Sequence, residues 1–270
     1  MKPRHRRSQA QRADRHVLYQ ESVQDVAVEV SFVLDTWAAL RSRAPAVLRE
    51  DFCGTANTSC EWVRRDPAHQ ALGVDLDPEV LDWARGNNLS ALDAEQRARI
   101  KLLQTDVLEV HEAPADIVMA MNFSYFIFKE RAEMLRYFQA VHTGLASDGM
   151  LFLDAYGGYE APRELVETRD CEGFTYIWEQ ASFNPVDSLM QCYIHFQMPD
   201  GSRLDRAFSY YWRLWTLPEL REILLEAGFS KTVVYWEGTD PDSGEGDGIY
   251  KPATVGDADP GWVCYIVAEA

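Results

Sequence analysis

The chain has 270 residues, of which 47% are hydrophobic, enough for one large domain or a domain with a sizeable insertion. Its formal net charge of −17 disfavours a general nucleic-acid binder, which needs a basic surface. No apolar stretch approaches about 18 residues and no signal-peptide core is evident, so we expect a cytoplasmic protein without a membrane span.

The charge is distributed unevenly along the chain. Six basic residues and one acid in residues 1–16 give this head a net charge of +5, which leaves −22 for the remainder. We expect a disordered basic head over 1–16 and a single domain over 17–270. The five cysteines show no C-x-x-C pair, which indicates reduced thiols and no metal site.

The first half of the chain predicts helices and then an alternation of strands and helices. Over 17–44 we expect one or two helices, because apolar residues recur at steps of four and three: Val26, Val30, Val33, Trp37 and Leu40. Five short apolar runs then predict strands near 46–48, 71–75, 100–105, 116–121 and 150–153. Helical patterns separate most of them, which predicts parallel pairing.

The C-terminal part predicts one more helix and two strands. The helix lies near 217–227, where Thr216 and Glu219 form a capping box and Gly228 ends the pattern. The strands are expected at 232–236 and 262–267. The segment 238–261 between them reads as a long mobile loop, and it fails the EF-hand template because Glu245 stands where glycine is required.

Polar residues stand at the carboxyl ends of successive predicted strands: Glu50, Asp75, Asp106, Asn122 and Asp154. In an open parallel sheet this edge is where ligands bind. A turn centred on Gly54 joins the first strand to its helix, so the backbone can approach a ligand and the helix N-terminus offers free N–H groups. The G-x-G-x-x-G fingerprint is absent, which disfavours a nicotinamide oxidoreductase.

The stretch from Glu50 to Ala56, Glu-Asp-Phe-Cys-Gly-Thr-Ala, resembles motif I of class I S-adenosylmethionine-dependent methyltransferases. The strand-end residues are similar to motifs II, III and IV of that family, and the resemblance covers about residues 45–155. Phe52 and Ala56 stand where motif I usually has glycine. The resemblance implies an α/β, Rossmann-like sheet of seven strands with the last antiparallel, and S-adenosylmethionine as the cofactor.

The same resemblance implies roles for individual residues. Asp75 would hold the ribose hydroxyls, Leu76 would pack on the adenine, and Asp106 would accept from the adenine amino group. Glu50 would order the amino-acid portion of the cofactor. The remaining cofactor-binding candidates are Tyr19 in an N-terminal helix that closes over the cofactor, the turn residues Phe52, Cys53, Gly54 and Thr55, and the strand-end residues Val107 and Asn122.

About 60 residues, 156–215, exceed what this fold needs and predict an inserted β cap. Strand-like runs occur at 174–183, 189–198 and 203–215, and Pro199-Asp200-Gly201 is a strong turn signal. Over 174–215, 11 of 42 residues are aromatic, or 26% against 12% for the chain. We therefore expect a small antiparallel sheet whose rings shape an acceptor pocket for an amine or a planar hydroxylated compound.

Methyl transfer from a sulfonium requires alignment and exclusion of water rather than a triad or a metal. By the resemblance Asn122 lies near the transferred methyl, and Tyr125, Glu179 or His195 could take a proton from the acceptor. We expect a small-molecule acceptor, with a nitrogen or an oxygen as the methylated atom and the oligomeric state both open. Two alternatives remain: a cofactor-binding subunit without activity, which Phe52 would explain, and a methyltransferase acting on a macromolecule.

Overall fold

The computed structural model describes residues 7–242, 244 and 246–270, which form two compact units. We call residues 25–158 and 215–270 the core unit, and residues 7–24 and 159–214 the insertion unit. The predicted cap, 156–215, overlaps the second segment of the insertion unit, residues 159–214. Residues 7–24 cluster with this segment, whereas the sequence predicts a head over 1–16 and the main domain from residue 17.

The described residues form seven α-helices and twelve strands. The helices are α1 (Arg15–Val23), α2 (Val26–Leu40), α3 (Asn57–Arg65), α4 (Pro78–Gly86), α5 (Ala94–Ala98), α6 (Arg131–Gly144) and α7 (Leu217–Ala227). The strands are β1 (Val47–Asp51), β2 (Gln70–Asp75), β3 (Ile100–Gln104), β4 (Ala115–Ala120), β5 (Leu145–Gly157), β6 (Leu165–Cys171), β7 (Phe174–Asn184), β8 (Leu189–Gln197), β9 (Arg203–Arg213), β10 (Lys231–Thr239), β11 (Gly246–Ala253) and β12 (Trp262–Glu269).

The core unit is built on one mixed sheet in the order β11-β10-β12-β5-β4-β1-β2-β3. Strands β1 to β5 pair in parallel, and β12 runs antiparallel to both β5 and β10. The predicted Rossmann-like sheet with an antiparallel final strand is confirmed. Strand β4 is buried along its whole length, as expected for a central parallel strand with both faces covered.

The sheet has one strand more than predicted, because β11 lies in the segment predicted to be a long loop. It pairs antiparallel with β10 at the edge of the sheet. Its sequence, Gly-Asp-Gly-Ile-Tyr-Lys-Pro-Ala, has two glycines, a proline and no clear alternation, so it carries no strand pattern. An edge strand tolerates proline, since one side of it makes no ladder hydrogen bonds. Glu245, the residue that departs from the EF-hand template, lies outside the described residues.

Helix α2 carries the apolar stripe predicted from the sequence. Val30, Val33 and Trp37 are fully or almost fully buried, and they join the core of the unit with Trp62 and Phe152. Valine is a weak helix former, so the burial of this face, rather than intrinsic propensity, stabilises α2. Asp25 caps its first turn by accepting from the Val28 N–H.

The predicted capping box at the start of α7 is present. The Thr216 hydroxyl lies 3.4 Å from the Glu219 nitrogen, and the Glu219 carboxylate accepts from the Thr216 N–H at 2.9 Å. We expect Thr216→Ala to lower the free energy of unfolding by about 1 kcal/mol, because it leaves a helix N–H group without its acceptor. Urea denaturation measures this difference.

Thr143→Ala is the matched control for that substitution. The Thr143 hydroxyl is exposed near the end of α6 and, among the described residues, bonds to the Gln139 carbonyl four residues earlier. Its removal should change stability by less than about 0.5 kcal/mol. Equal effects of the two substitutions would show that the capping box does not stabilise α7.

The insertion unit is an antiparallel sheet in the order β6-β7-β8-β9. Strands β7, β8 and β9 match the three predicted runs to within two residues. Strand β6 was not predicted, since five of its seven residues are exposed and polar residues dominate it. The aromatic residues mainly build the interior of this unit, where Phe174, Phe196 and Ile194 are buried together.

Residues 8–16, predicted to be disordered, are folded onto this sheet. The Gln9 N–H donates to Asp200 at 2.9 Å and the Ala10 N–H donates to the Ser202 hydroxyl at 3.0 Å, while Ala10 itself is buried. These are bonds across more than 190 residues, which no local pattern announces. The prediction for residues 1–6, which hold Lys2, Arg4 and Arg6, falls outside the described residues.

None of the helices in the described part of the chain is long and apolar enough to span a membrane.

Candidate functional site

The turn between β1 and α3 has an unusual backbone. Phe52, Gly54 and Ala56 all adopt left-handed conformations, with φ of 56°, 50° and 54°. Glycine reaches this region without strain, whereas a residue with a Cβ pays about 1–2 kcal/mol. Phe52 and Ala56 therefore keep the backbone path that glycine would favour. Strained backbone of this kind clusters at ligand-binding and catalytic sites in proteins.

Asp75, at the end of β2, is tied directly to this turn. Its Oδ2 accepts from the Gly54 N–H at 2.8 Å, and its Oδ1 accepts from the Asp77 N–H at 2.9 Å. Asp75, which the resemblance assigns to the ribose hydroxyls, and Gly54 of the predicted cofactor-binding turn therefore lie next to each other. The adjacent Leu76 side chain is 62% exposed, which leaves an apolar surface beside Asp75.

Glu50 caps the helix that follows the turn. The start of α3 has Ala56 at its N-cap and no side-chain cap of its own. The buried Glu50 carboxylate replaces it by accepting from the Ser59 N–H at 2.8 Å and from the Ser59 hydroxyl. Burial raises the pKa of Glu50 to about 7, against the opposing effect of its hydrogen bonds to Ser59 and Thr58.

Asp154 holds the turn that follows β4. Its carboxylate accepts from the Asn122 N–H at 2.7 Å and from the Phe123 N–H at 2.9 Å, and both residues are left-handed. We predicted Asp154 at the end of its strand, but β5 continues to Gly157, so Asp154 lies inside the strand. Burial raises its pKa to about 7. Asp154 thereby positions Asn122 at the edge of the sheet.

Tyr125, a candidate base, is fully buried behind this turn. Its hydroxyl donates to the Asp154 carbonyl at 2.7 Å. Burial, followed by the charge of Asp154, raises its pKa well above the ordinary value. The Tyr125 hydroxyl therefore already uses its proton in a hydrogen bond to the backbone.

The other cofactor candidates of the core unit also lie around β1, β2 and β3. Asp106 caps the short 3-10 helix Val107–Glu109 by accepting from the Leu108 N–H, and Val107 is buried. Thr55 is buried, and its carbonyl accepts from Asn88 at 2.9 Å. Burial raises the pKa of the Cys53 thiol well above its ordinary value, so this residue is no nucleophile.

Three candidates belong to the insertion unit. His195 Nε2 lies 2.8 Å from Glu179 Oε2, while His195 Nδ1 accepts from the Arg206 N–H at 3.0 Å. This pattern assigns the proton to Nε2 when the ring is neutral, because Nδ1 must be an acceptor. Tyr19 packs on the Phe208 ring at a centroid distance of 4.8 Å and hydrogen-bonds Tyr210. The roles of all three in binding or catalysis stay predictions.

Two features of the core unit escaped the sequence analysis. The first is a buried ion pair within β1, in which Arg49 holds Asp51. The second is Glu29 of α2, whose Oε2 is buried and has no hydrogen-bond partner among the described residues. Burial, and then the charges of Asp154, Glu50 and Asp25, raise the pKa of Glu29 to about 8. The sequence signal for a buried Glu29 is its position between Val28 and Val30 in an apolar helix.

The sequence matches no protein-family model and no curated protein. Solved structures do resemble the chain. An S-adenosylmethionine-dependent methyltransferase from Clostridium acetobutylicum is 18% identical, with a TM-score of 0.68 over 94% of this chain and 96% of that one. An amino pentose methyltransferase from Micromonospora echinaspora, described as S-adenosylmethionine-bound, is 18% identical, with a TM-score of 0.65 over 94% and 96%.

A sugar N-methyltransferase from Streptoalloteichus is likewise 18% identical, with a TM-score of 0.63 over 95% of this chain and 92% of that one. At this level of identity the likeness establishes the fold. The chain therefore has the fold of the S-adenosylmethionine-dependent methyltransferases.

Proposed function

We propose that the protein is an S-adenosylmethionine-dependent methyltransferase that acts on a small molecule. The observation that carries this proposal is the hydrogen bond between Gly54 and Asp75, made within a strained left-handed turn at the carboxyl edge of the sheet. In an open α/β fold this edge is the ligand-binding position. Glycine at positions 52 and 56 would follow the same backbone path without strain. The retention of this path despite the strain at Phe52 and Ala56 supports a binding role.

The residues at this edge suit the proposed cofactor. S-adenosylmethionine carries ribose hydroxyls, an adenine ring and two cationic groups. We assign Asp75 to the ribose hydroxyls, since each of its oxygens retains a lone pair beyond the hydrogen bonds described above. Leu76 provides the exposed apolar surface for the adenine, and Asp106 lies after the neighbouring strand. Acidic groups near this edge complement the cations. The charge of Asp75 raises the pKa of Glu50, and the charge of Glu50 raises the pKa of Glu29, so the three acids lie within electrostatic range of one another.

The bound cofactor supplies an activated methyl group, so the chain itself has to orient the reactants and exclude water. Asp154 fixes the Asn122 turn, and the buried Tyr125 supports it from behind. We retain Asn122 as the residue nearest the reaction. Tyr125 is poorly suited as a base, because its hydroxyl proton is committed to the Asp154 carbonyl. Glu179 and His195 stay proposed bases. In the neutral ring Nε2–H donates to Glu179 and Nδ1 accepts from the Arg206 N–H, so of these two only the Glu179 carboxylate keeps free lone pairs.

We propose an amino sugar as the first acceptor class to test. Two of the similar structures are described as an amino pentose methyltransferase and a sugar N-methyltransferase. An amine also suits an acidic protein with a net charge of −17. We place the activity in the cytoplasm, since all five cysteines lie in the described part of the chain and are free thiols.

Calorimetry with S-adenosylmethionine tests the proposal. We expect Asp75→Ala to weaken binding by about tenfold or more, because it removes a charged hydrogen-bond acceptor. Asp75→Asn keeps an acceptor for the Gly54 N–H and should weaken binding too, which separates lost recognition from a disordered turn. Asp82→Ala, an exposed aspartate of α4, is the matched control and should bind as the wild type does.

Unchanged binding in both Asp75 variants would contradict the assigned site. Binding by the wild type without product from any amino-sugar or other small-molecule acceptor would point to the alternative of a cofactor-binding subunit.

A further inference from the structure

Glu29 differs from the other acids of the core unit in having an unsatisfied buried oxygen. Within residues 7–242, 244 and 246–270, no donor lies within hydrogen-bond distance of its Oε2, although that atom is inaccessible to solvent. A buried acceptor without a partner costs about 1–3 kcal/mol, and more when it is charged. The group therefore needs either a proton of its own or a donor from a ligand.

The charged groups that act on Glu29 are acids on several elements. They are Asp25 at the start of α2, Glu50 of β1 and Asp154 of β5. The charge of Glu29 also reaches Tyr265 of β12, because it raises the pKa of that hydroxyl after the larger effect of burial. Glu50 and Asp154 are already satisfied by Ser59 and by the Asn122–Phe123 turn. Of the acids Glu29, Glu50 and Asp154, Glu29 is the one that retains an oxygen without a hydrogen bond from the described residues.

We propose that the Glu29 carboxylate binds the α-ammonium group of S-adenosylmethionine. This inference rests on the proposed function and refines it, because the resemblance had assigned the amino-acid end of the cofactor to Glu50. The ammonium is preferred over the sulfonium because only the ammonium carries N–H donors, and Oε2 lacks a donor. A cation also relieves the repulsion among Glu29, Glu50 and Asp154.

Three adenosyl ligands distinguish the possible sources of the charge. S-adenosylmethionine has both cations, S-adenosylhomocysteine has only the ammonium, and 5′-methylthioadenosine has neither. We expect Glu29→Gln to weaken the first two by about tenfold or more, the effect of one hydrogen bond between charged groups. Binding of 5′-methylthioadenosine should change by less than about twofold, since it has no group for Glu29 to hold. Asp35→Asn, on an exposed position of α2, is the matched control.

Proton release gives a readout that a merely structural role would not move. Burial and then neighbouring acids raise the pKa of Glu29 to about 8, so it is mostly protonated at pH 7, and an ammonium partner favours its ionised form. Calorimetry of S-adenosylhomocysteine binding near pH 7, in buffers of different ionisation enthalpy, should show more proton release for the wild type than for Glu29→Gln.

The outcomes separate this inference from the proposed function. Loss of S-adenosylmethionine binding alone would assign Glu29 to the sulfonium and overturn the inference. Equal losses for all three ligands would show a general disturbance of the site, and no loss for any would also overturn it, both leaving the proposed function intact. If the wild type binds none of the three ligands, the proposed function itself fails.

Discussion

Replacing Arg49 with methionine should lower the free energy of unfolding by about 3–5 kcal/mol, the usual effect of leaving one member of a buried ion pair without its partner. Arg49 donates to Asp51 through Nε at 2.6 Å and through Nη2 at 2.9 Å. Their side chains are only 3% and 0% exposed. Nη2 also donates to the Val107 carbonyl, so the same guanidinium ties β1 to the segment after β3. Urea denaturation measures the loss.

A second substitution identifies the cause of this loss. Asp51→Asn in the Arg49→Met background removes the uncompensated charge but keeps an acceptor for the Tyr137 hydroxyl, which donates to Asp51 at 3.0 Å. The double variant should recover a substantial part of the stability, and the double-mutant cycle gives the coupling energy. Arg85→Met breaks an exposed pair with Asp82 and should change stability by less than about 1 kcal/mol.

If Arg49→Met were no more destabilising than Arg85→Met, the buried pair would not stabilise the fold. The pair lies directly before Phe52, so it also anchors the strained turn. A destabilised Arg49 variant should therefore lose affinity for S-adenosylmethionine even though Arg49 is not assigned a contact with it.

Raising the pH from about 5.5 to about 8 should destabilise the ligand-free protein by about 7 kcal/mol. Burial raises the pKa of Glu29 to about 8 and those of Glu50 and Asp154 to about 7. In the unfolded chain all three titrate near their ordinary values, about 4. The folded state thus binds more protons than the unfolded state across this range, so its free energy of unfolding falls as the pH rises and levels off above the folded pKa values. The carboxyls whose pKa is lowered, including Asp116 and Glu269, exert their effect at more acidic pH.

The Glu29→Gln variant should flatten this profile and be more stable than the wild type at pH about 8, by about 1–3 kcal/mol. Denaturant titrations at several pH values compare the two proteins, with Asp35→Asn as the control. A wild-type stability that increases with pH, or a Gln variant with an unchanged profile, would contradict the burial of an ionising Glu29. A gain in stability together with a loss of cofactor affinity is typical of a binding site that is strained in its free form.

The acids and the strained turn have a common explanation under the proposed function. Phe52 and Ala56 keep a left-handed path, and Glu29 keeps a buried unsatisfied oxygen. Each costs stability in the ligand-free protein. A bound cation and a ligand that follows the turn recover part of that cost through binding. The left-handed backbone geometry is retained at position 52 despite the departure from glycine, so Phe52 does not by itself favour a cofactor-binding subunit without activity.

The sequence by itself determined the elements and the edge at which they present polar groups. Alternation of strand and helix patterns, the capping box at Thr216 and the turn at Gly54 are local signals, read within a few residues of one another. They were sufficient for the parallel sheet and for the three main strands of the insertion unit, whereas the antiparallel direction of β12 was implied only by the resemblance to the methyltransferase family.

Only the tertiary structure decided which of the acids are satisfied. Glu50 caps α3, Asp154 holds the Asn122 turn, and Glu29 is left with an unpaired oxygen. Tertiary structure also brought residues 8–16 onto the Asp200 turn and placed β11 at the sheet edge. These outcomes depend on partners far apart in the chain. A local pattern records the period of an element but not which distant donor reaches a buried carboxylate, since that depends on how the elements pack.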